Sequence, residues 1–154
     1  MKAQTIKQIT TTALLSGAII LTGCSSDSAP PPPPAAPIGD ISGTWAIYEA
    51  YTSASAGCSG YDSYTLTTAQ SGNSVTVTDN SGNVFNGTLS GNKLTWSGSY
   101  PDYPGTTSSN VTVTIGASCT TLTATATWSY SETGFSCSGT STSTGTRISG
   151  GTGC

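Results

Sequence analysis

The chain has 154 residues, a net charge of −3 and no histidine. With no basic stripe it offers nothing to nucleic acid, and without histidine it lacks the commonest catalytic base and metal ligand. Serine and threonine supply 54 residues, and threonine alternating with apolar residues marks half-buried strands rather than a disordered tract.

Lys2 and Lys7 open the chain with positive charge, and residues 9–21 form a mostly apolar stretch. That stretch is too short to span a bilayer as a stable helix and reads as an export signal. It closes on Leu21-Thr22-Gly23-Cys24, which resembles the bacterial lipobox. The resemblance implies that residues 1–23 are a leader and that Cys24 carries diacylglycerol and an N-acyl chain such as palmitate. Past the leader only Lys93 and Arg147 are basic against seven acidic residues, a net charge of about −5. An electrostatic grip on lipid headgroups is therefore excluded, and the acyl chains must hold the membrane, at roughly 0.8 kcal/mol per buried methylene. Ser25 follows the lipobox where inner-membrane lipoproteins often carry aspartate, so the same resemblance implies the outer membrane of a bacterial cell envelope.

Residues 25–37 include a run of prolines at 30–34 and another at Pro37. Such a run adopts polyproline II at about 3.1 Å per residue, a semi-rigid stalk. Residues 24–37 are thus the lipidated N-terminus and linker, and residues 38–154 one small domain.

Eight strands follow, at about 44–51, 61–69, 74–78, 84–89, 93–99, 110–115, 120–130 and 137–148. The intervening turns carry Asn, Asp and Gly where positive φ is needed. Asp79-Asn80-Ser81-Gly82-Asn83 is only loosely similar to a calcium-binding loop, and a hairpin turn accounts for it. No segment has helical periodicity. Eight antiparallel strands joined by consecutive hairpins would expose two edges if open, so the expected fold is an all-β, eight-stranded antiparallel up-and-down β-barrel. With Cys24 assigned to lipid, Cys58, Cys119, Cys137 and Cys154 form an even set in an oxidising compartment, hence two disulfides. Neither a metal nor a cofactor is expected.

The first strand opens with Gly43-Thr44-Trp45 and the last ends with Gly145-Thr146-Arg147. This combination over residues 40–148 resembles the calycin superfamily, which includes lipocalins, fatty-acid-binding proteins and avidins. The resemblance implies that Trp45 plugs the closed end of the barrel while Arg147 packs across it. A guanidinium can stack on an indole while its donors satisfy carbonyls. If Arg147 points inward, alternation turns Gly145, Ser143, Ser141, Gly139 and Cys137 inward as well. The same parity gives Leu122, Ala124, Ala126, Trp128 and Tyr130, then Val111, Val113 and Ile115, then Leu94 and Trp96. The last strand therefore shows only small residues to the lumen, leaving room for neighbouring aromatics or for a ligand.

Up-and-down topology also selects a disulfide pairing. With the start of the first strand at the bottom, Cys58 and Cys137 fall at the top, while Cys119 and Cys154 fall at the bottom. The expected bridges are Cys58–Cys137 and Cys119–Cys154. The top rim, with Tyr51, Tyr61, Tyr100, Tyr103 and Phe135, points away from the lipid. Its longest loop is expected at residues 99–105, and tyrosines on proline-bracketed loops suit contact with a partner.

No nucleophile motif and no acid–base carboxylate pair is present, so catalysis is not expected. The expected function is a monomeric, membrane-anchored, lipocalin-like lipoprotein that binds a small apolar or amphipathic ligand, or an envelope protein through its rim. Small disulfide-bonded barrel lipoproteins also resemble bacterial inhibitors, which makes an envelope inhibitor of a lysozyme or protease one alternative. A structural surface lipoprotein without ligand is the other.

Overall fold

A computed structural model describes residues 31–151 and 153–154 of the chain. The leader, the lipobox and Cys24 lie outside the described residues. The domain is built from β1 (Gly43–Ser53), β2 (Gly60–Ser71), β3 (Ser74–Asp79), β4 (Val84–Ser90), β5 (Lys93–Asp102), β6 (Gly105–Ile115), β7 (Thr121–Glu132) and β8 (Phe135–Ser149). Each strand pairs antiparallel with the next, and β1 pairs with β8 to close the barrel. Closure leaves no strand as an edge over its whole length, which solves the pairing problem that consecutive hairpins create.

The turns follow from their residues. Ser90 pairs with Lys93, leaving Gly91 and Asn92 as a two-residue connection in which Gly91 has φ 57°. Glycine takes that conformation without steric cost. Between β3 and β4, the Asp79 Oδ1 accepts hydrogen bonds from the N–H groups of Ser81 (2.9 Å) and Asn83 (2.8 Å). That carboxylate is committed to its turn.

One expected loop is a strand pair instead. Pairing between β5 and β6 continues through Ser99–Ser108, Tyr100–Thr107 and Pro101–Thr106 to Asp102–Gly105. Only Tyr103 and Pro104, joined by a cis peptide bond, connect the strands. Two prolines argue for a loop, but β5 pairs with β4 only up to Trp96. Above Trp96 one side of β5 is an edge, and a proline without an N–H is tolerated there.

Both disulfides join the expected partners. Cys58 is bridged to Cys137 with Cα atoms 6.4 Å apart, and Cys119 to Cys154 with Cα atoms 5.2 Å apart. The second bridge clasps the C-terminal tail beneath the barrel, where Asp40 and Gly153 also form an isolated β-bridge. Ile41, Trp45, Val75, Val77, Leu89, Leu94, Val113, Ile115 and Cys119 are all buried in one core cluster. It fills the lower barrel.

Candidate ligand site in the upper barrel

The floor closes the lower end. Trp45, 1% exposed, donates its Nε1–H to the carbonyl of Ile41 and to Thr68 Oγ1, each at 3.2 Å. Arg147 is its cross-strand neighbour on β8, past a register shift between Thr44 and Trp45. The Arg147 guanidinium carbon lies 4.9 Å from the centroid of the Trp45 ring, and Nη2 donates to the carbonyl of Asp40 at 2.8 Å. The pair sits at the barrel floor in the stacked geometry that makes a cation–π contact favourable. Asp40 has its carboxyl pKa lowered, first by hydrogen bonds from Ser42 and also by the Arg147 charge.

Above the floor, the small residues of β8 leave space that neighbours fill. A Cβ at Gly145 would lie 2.7 Å from Ile47 Cδ1 and 2.8 Å from Leu122 Cγ. At Gly139 it would meet the Trp128 ring at 2.9 Å. What remains in the lumen is a cavity of about 50 Å³, whose lining includes Glu49, Tyr64, Trp96, Ala126 and Ser143. A water needs about 10–15 Å³ and a drug-sized ligand several hundred. The volume is several waters' worth, and a body of lipocalin-ligand size is excluded from it.

Alternation from Trp45 and Ile47 carries Glu49 to the same inner face of β1. Its Oε2 accepts a hydrogen bond from the Tyr64 hydroxyl at 2.9 Å. Burial, then the Glu49 charge and that hydrogen bond, lift the Tyr64 pKa well above the phenol range. Tyr100 shifts in the same direction, through burial first and then the charges of Asp102 and Glu49, among others. Asp102 Oδ2 in turn accepts from the Thr107 hydroxyl at 2.8 Å. Of the residues that line the cavity Glu49 is the one acid, beside the rings of Tyr64 and Trp96, and Asp102 is exposed at the rim.

No protein-family model and no curated protein matches the chain. The reading of the site therefore rests on its own geometry.

The expected rim residues divide among different surfaces. Tyr51 stands edge-on to Trp128 (centroids 6.1 Å apart), and Tyr100 stands edge-on to Phe85 (6.0 Å). Tyr61 is 74% exposed and stacks on Tyr48, not on the other rim residues. Tyr103 occupies the β5–β6 tip and is 97% exposed. Phe135 packs against Tyr130 at 6.2 Å. The structure does not gather these five side chains into one patch.

The wall of the barrel is uneven at this end. β2 pairs with β3 only from Leu66 downward, and β5 with β4 only from Trp96 downward. Residues 60–65 and 97–102 are unpaired on the sides that flank the short β3–β4 hairpin. On the β5 side of this gap in the ladder, Phe85 of β4 packs against Gly98 and stands edge-on to Tyr100.

Glu49, Tyr64, Trp128 and Ser141 are not among the site residues expected from the sequence. Two buried polar atoms here have no hydrogen-bond partner, Trp128 Nε1 and Ser141 Oγ. Inward parity is the sequence signal for Glu49, Trp128 and Ser141.

Proposed function

We propose that this chain is a bacterial envelope lipoprotein with a calycin-like barrel, anchored through lipid on Cys24, that binds a small amphipathic ligand at the open end. The observation that carries this reading is the asymmetry of the barrel. One end is sealed by Trp45, Arg147 and the disulfide-clasped tail, and above that floor lies a mostly apolar cavity with Glu49, Tyr64 and Ser143 toward the other end. The end of the linker supports the same orientation. Ala35 N–H donates to Ser90 Oγ (3.0 Å), and Ile38 N–H donates to the carbonyl of Gly91 (3.1 Å). Residues 35–38 therefore lie against the floor-end turns and leave the upper end uncovered.

Native mass spectrometry of the lipidated protein, purified from its own envelope, tests the reading. A co-purifying small molecule supports it, whereas apo protein from every preparation counts against it. Radiolabelled palmitate should enter the wild type and be lost in Cys24→Ser, and the label should fractionate with the outer membrane.

The β5–β6 tip favours a second reading. Tyr103 projects there, on a hairpin braced by the Ser99–Ser108 hydroxyl contact at 2.6 Å and by Thr107 on Asp102. A rigid aromatic tip suits insertion into an enzyme cleft. Inhibition of envelope lysozymes or proteases that disappears in Tyr103→Ala would establish this alternative.

A further inference from the structure

We propose that the upper lumen binds a small alkylammonium group, with Glu49 as its counter-ion and Ser143 beside it as a hydrogen-bond acceptor. This deepens the ligand-binding reading above and rests on it.

The charge distribution comes first. Glu49 lines the cavity, and its one side-chain hydrogen bond among the described residues comes from the neutral Tyr64 hydroxyl. Both cations of the domain are elsewhere. Lys93 is exposed at the floor end of β5, and Arg147 is held between Trp45 and the Asp40 carbonyl. A carboxylate half-buried without a cation favours a ligand that brings one, because an apolar ligand would strip its water and return nothing. An anion would be repelled by Glu49 and by Asp102 beyond it.

The second observation is independent of the acids. Ser141 is 4% exposed, faces inward on β8, and its hydroxyl has no partner. It stands across from Tyr51 on β1 and from cavity-lining Ala126 on β7. One step further along β8, Ser143 also lines the cavity and stands across from Glu49. Ser143 is therefore the hydroxyl within reach of an ammonium held by Glu49, and Ser141 stands one level above it, outside the lining.

Size and wall chemistry choose among cations. No group of three His, Cys, Asp or Glu side chains among the described residues is placed to hold a metal ion. The lining instead includes Tyr64 and Trp96, with Tyr100 packed against the same core, and aromatic faces attract organic cations. About 50 Å³ takes an ammonium and the first carbons of its chain. The upper end gives the rest of the chain a way out, past the exposed Asp102. A diamine therefore gains a second carboxylate at the rim.

The test is isothermal titration calorimetry of the full chain in detergent at neutral pH. The probes are butylammonium, 1,4-diaminobutane and the neutral isostere 1-butanol. Both amines should bind saturably, and 1-butanol should bind at least about tenfold more weakly. Glu49→Gln should cost both amines about tenfold or more while leaving 1-butanol unchanged. Asp102→Asn, an exposed substitution that spares the core, should weaken the diamine selectively. It guards against a Glu49→Gln chain that does not fold. Equal binding of 1-butanol and the amines, unchanged amine affinity in Glu49→Gln, or unchanged diamine affinity in Asp102→Asn overturns the ammonium proposal and leaves the ligand-binding reading standing. If none of the probes binds, and native mass spectrometry finds apo protein only, both fall.

Discussion

Arg147 does two jobs with one planar group. Its face lies on Trp45 and its edge donates to the Asp40 carbonyl. Arg147→Ala removes both contacts and should cost about 2 kcal/mol, read as a lower denaturant midpoint at unchanged slope. Arg147→Lys should recover only part, because an ammonium lacks the stacking plane. Tyr64 gives a prediction in pH. Its pKa is raised in the folded chain, so its contribution to stability is complete below the ordinary phenol value near 10 and is lost as pH climbs past it. Tyr64→Phe abolishes that titration, so the loss of stability above pH ~10 should become shallower. The same variant should lose about 1 kcal/mol at neutral pH, where Glu49 forfeits its donor. Urea midpoints measured across the alkaline range check both signs. Trp45 and Arg147 are legible in the sequence because each marks the end of a strand with clear alternation. Glu49 is legible by the same alternation. Its partner Tyr64 is not, because the offset between β1 and β2 depends on the connecting turn, and a one-residue slip would face Tyr64 outward.

At the scale of strands, alternation located all eight elements, and the largest discrepancy was where β5 and β6 end. Prolines at 101 and 104 read as loop, yet an edge accommodates the first and the turn accommodates the second. Edges exist only after a sheet is assembled, so a single strand carries no sign of them. The small residues of β8 were ambiguous for a related reason. Whether Gly139 and Gly145 face space or side chains depends on what the neighbouring strands point at them. Gly145 faces Ile47 and Leu122 within van der Waals range. Gly145→Val should therefore overpack the lumen and cost about 1–3 kcal/mol, lowering the thermal midpoint. A stabilised or unchanged Gly145→Val would mean that the lumen there is open.

For the whole molecule, the two bridges staple opposite ends of the barrel across sequence separations of 79 and 35 residues. Loop entropy assigns each about 4 kcal/mol, with only a small excess for the longer loop. Replacing either cysteine pair with serine should lower the thermal midpoint by comparable amounts, and calorimetry under oxidising conditions measures it. The pairing was legible because topology leaves each cysteine only one partner at its own end. The size of the cavity was not, since it depends on every inward side chain at once.

The attachment of residues 35–38 to the floor has a mechanical consequence. A protein held by its N-terminal side feels drag as tension on that side, and the hydrogen bonds to Ser90 and Gly91 carry the first load. Beyond them the force runs into β1, which is laddered on both flanks, by β2 and by β8. Tension along β1 loads both ladders in shear, where many bonds must slip together, instead of peeling them one at a time. In a chain anchored as proposed, the strand nearest the tether is thus the one best placed to bear it.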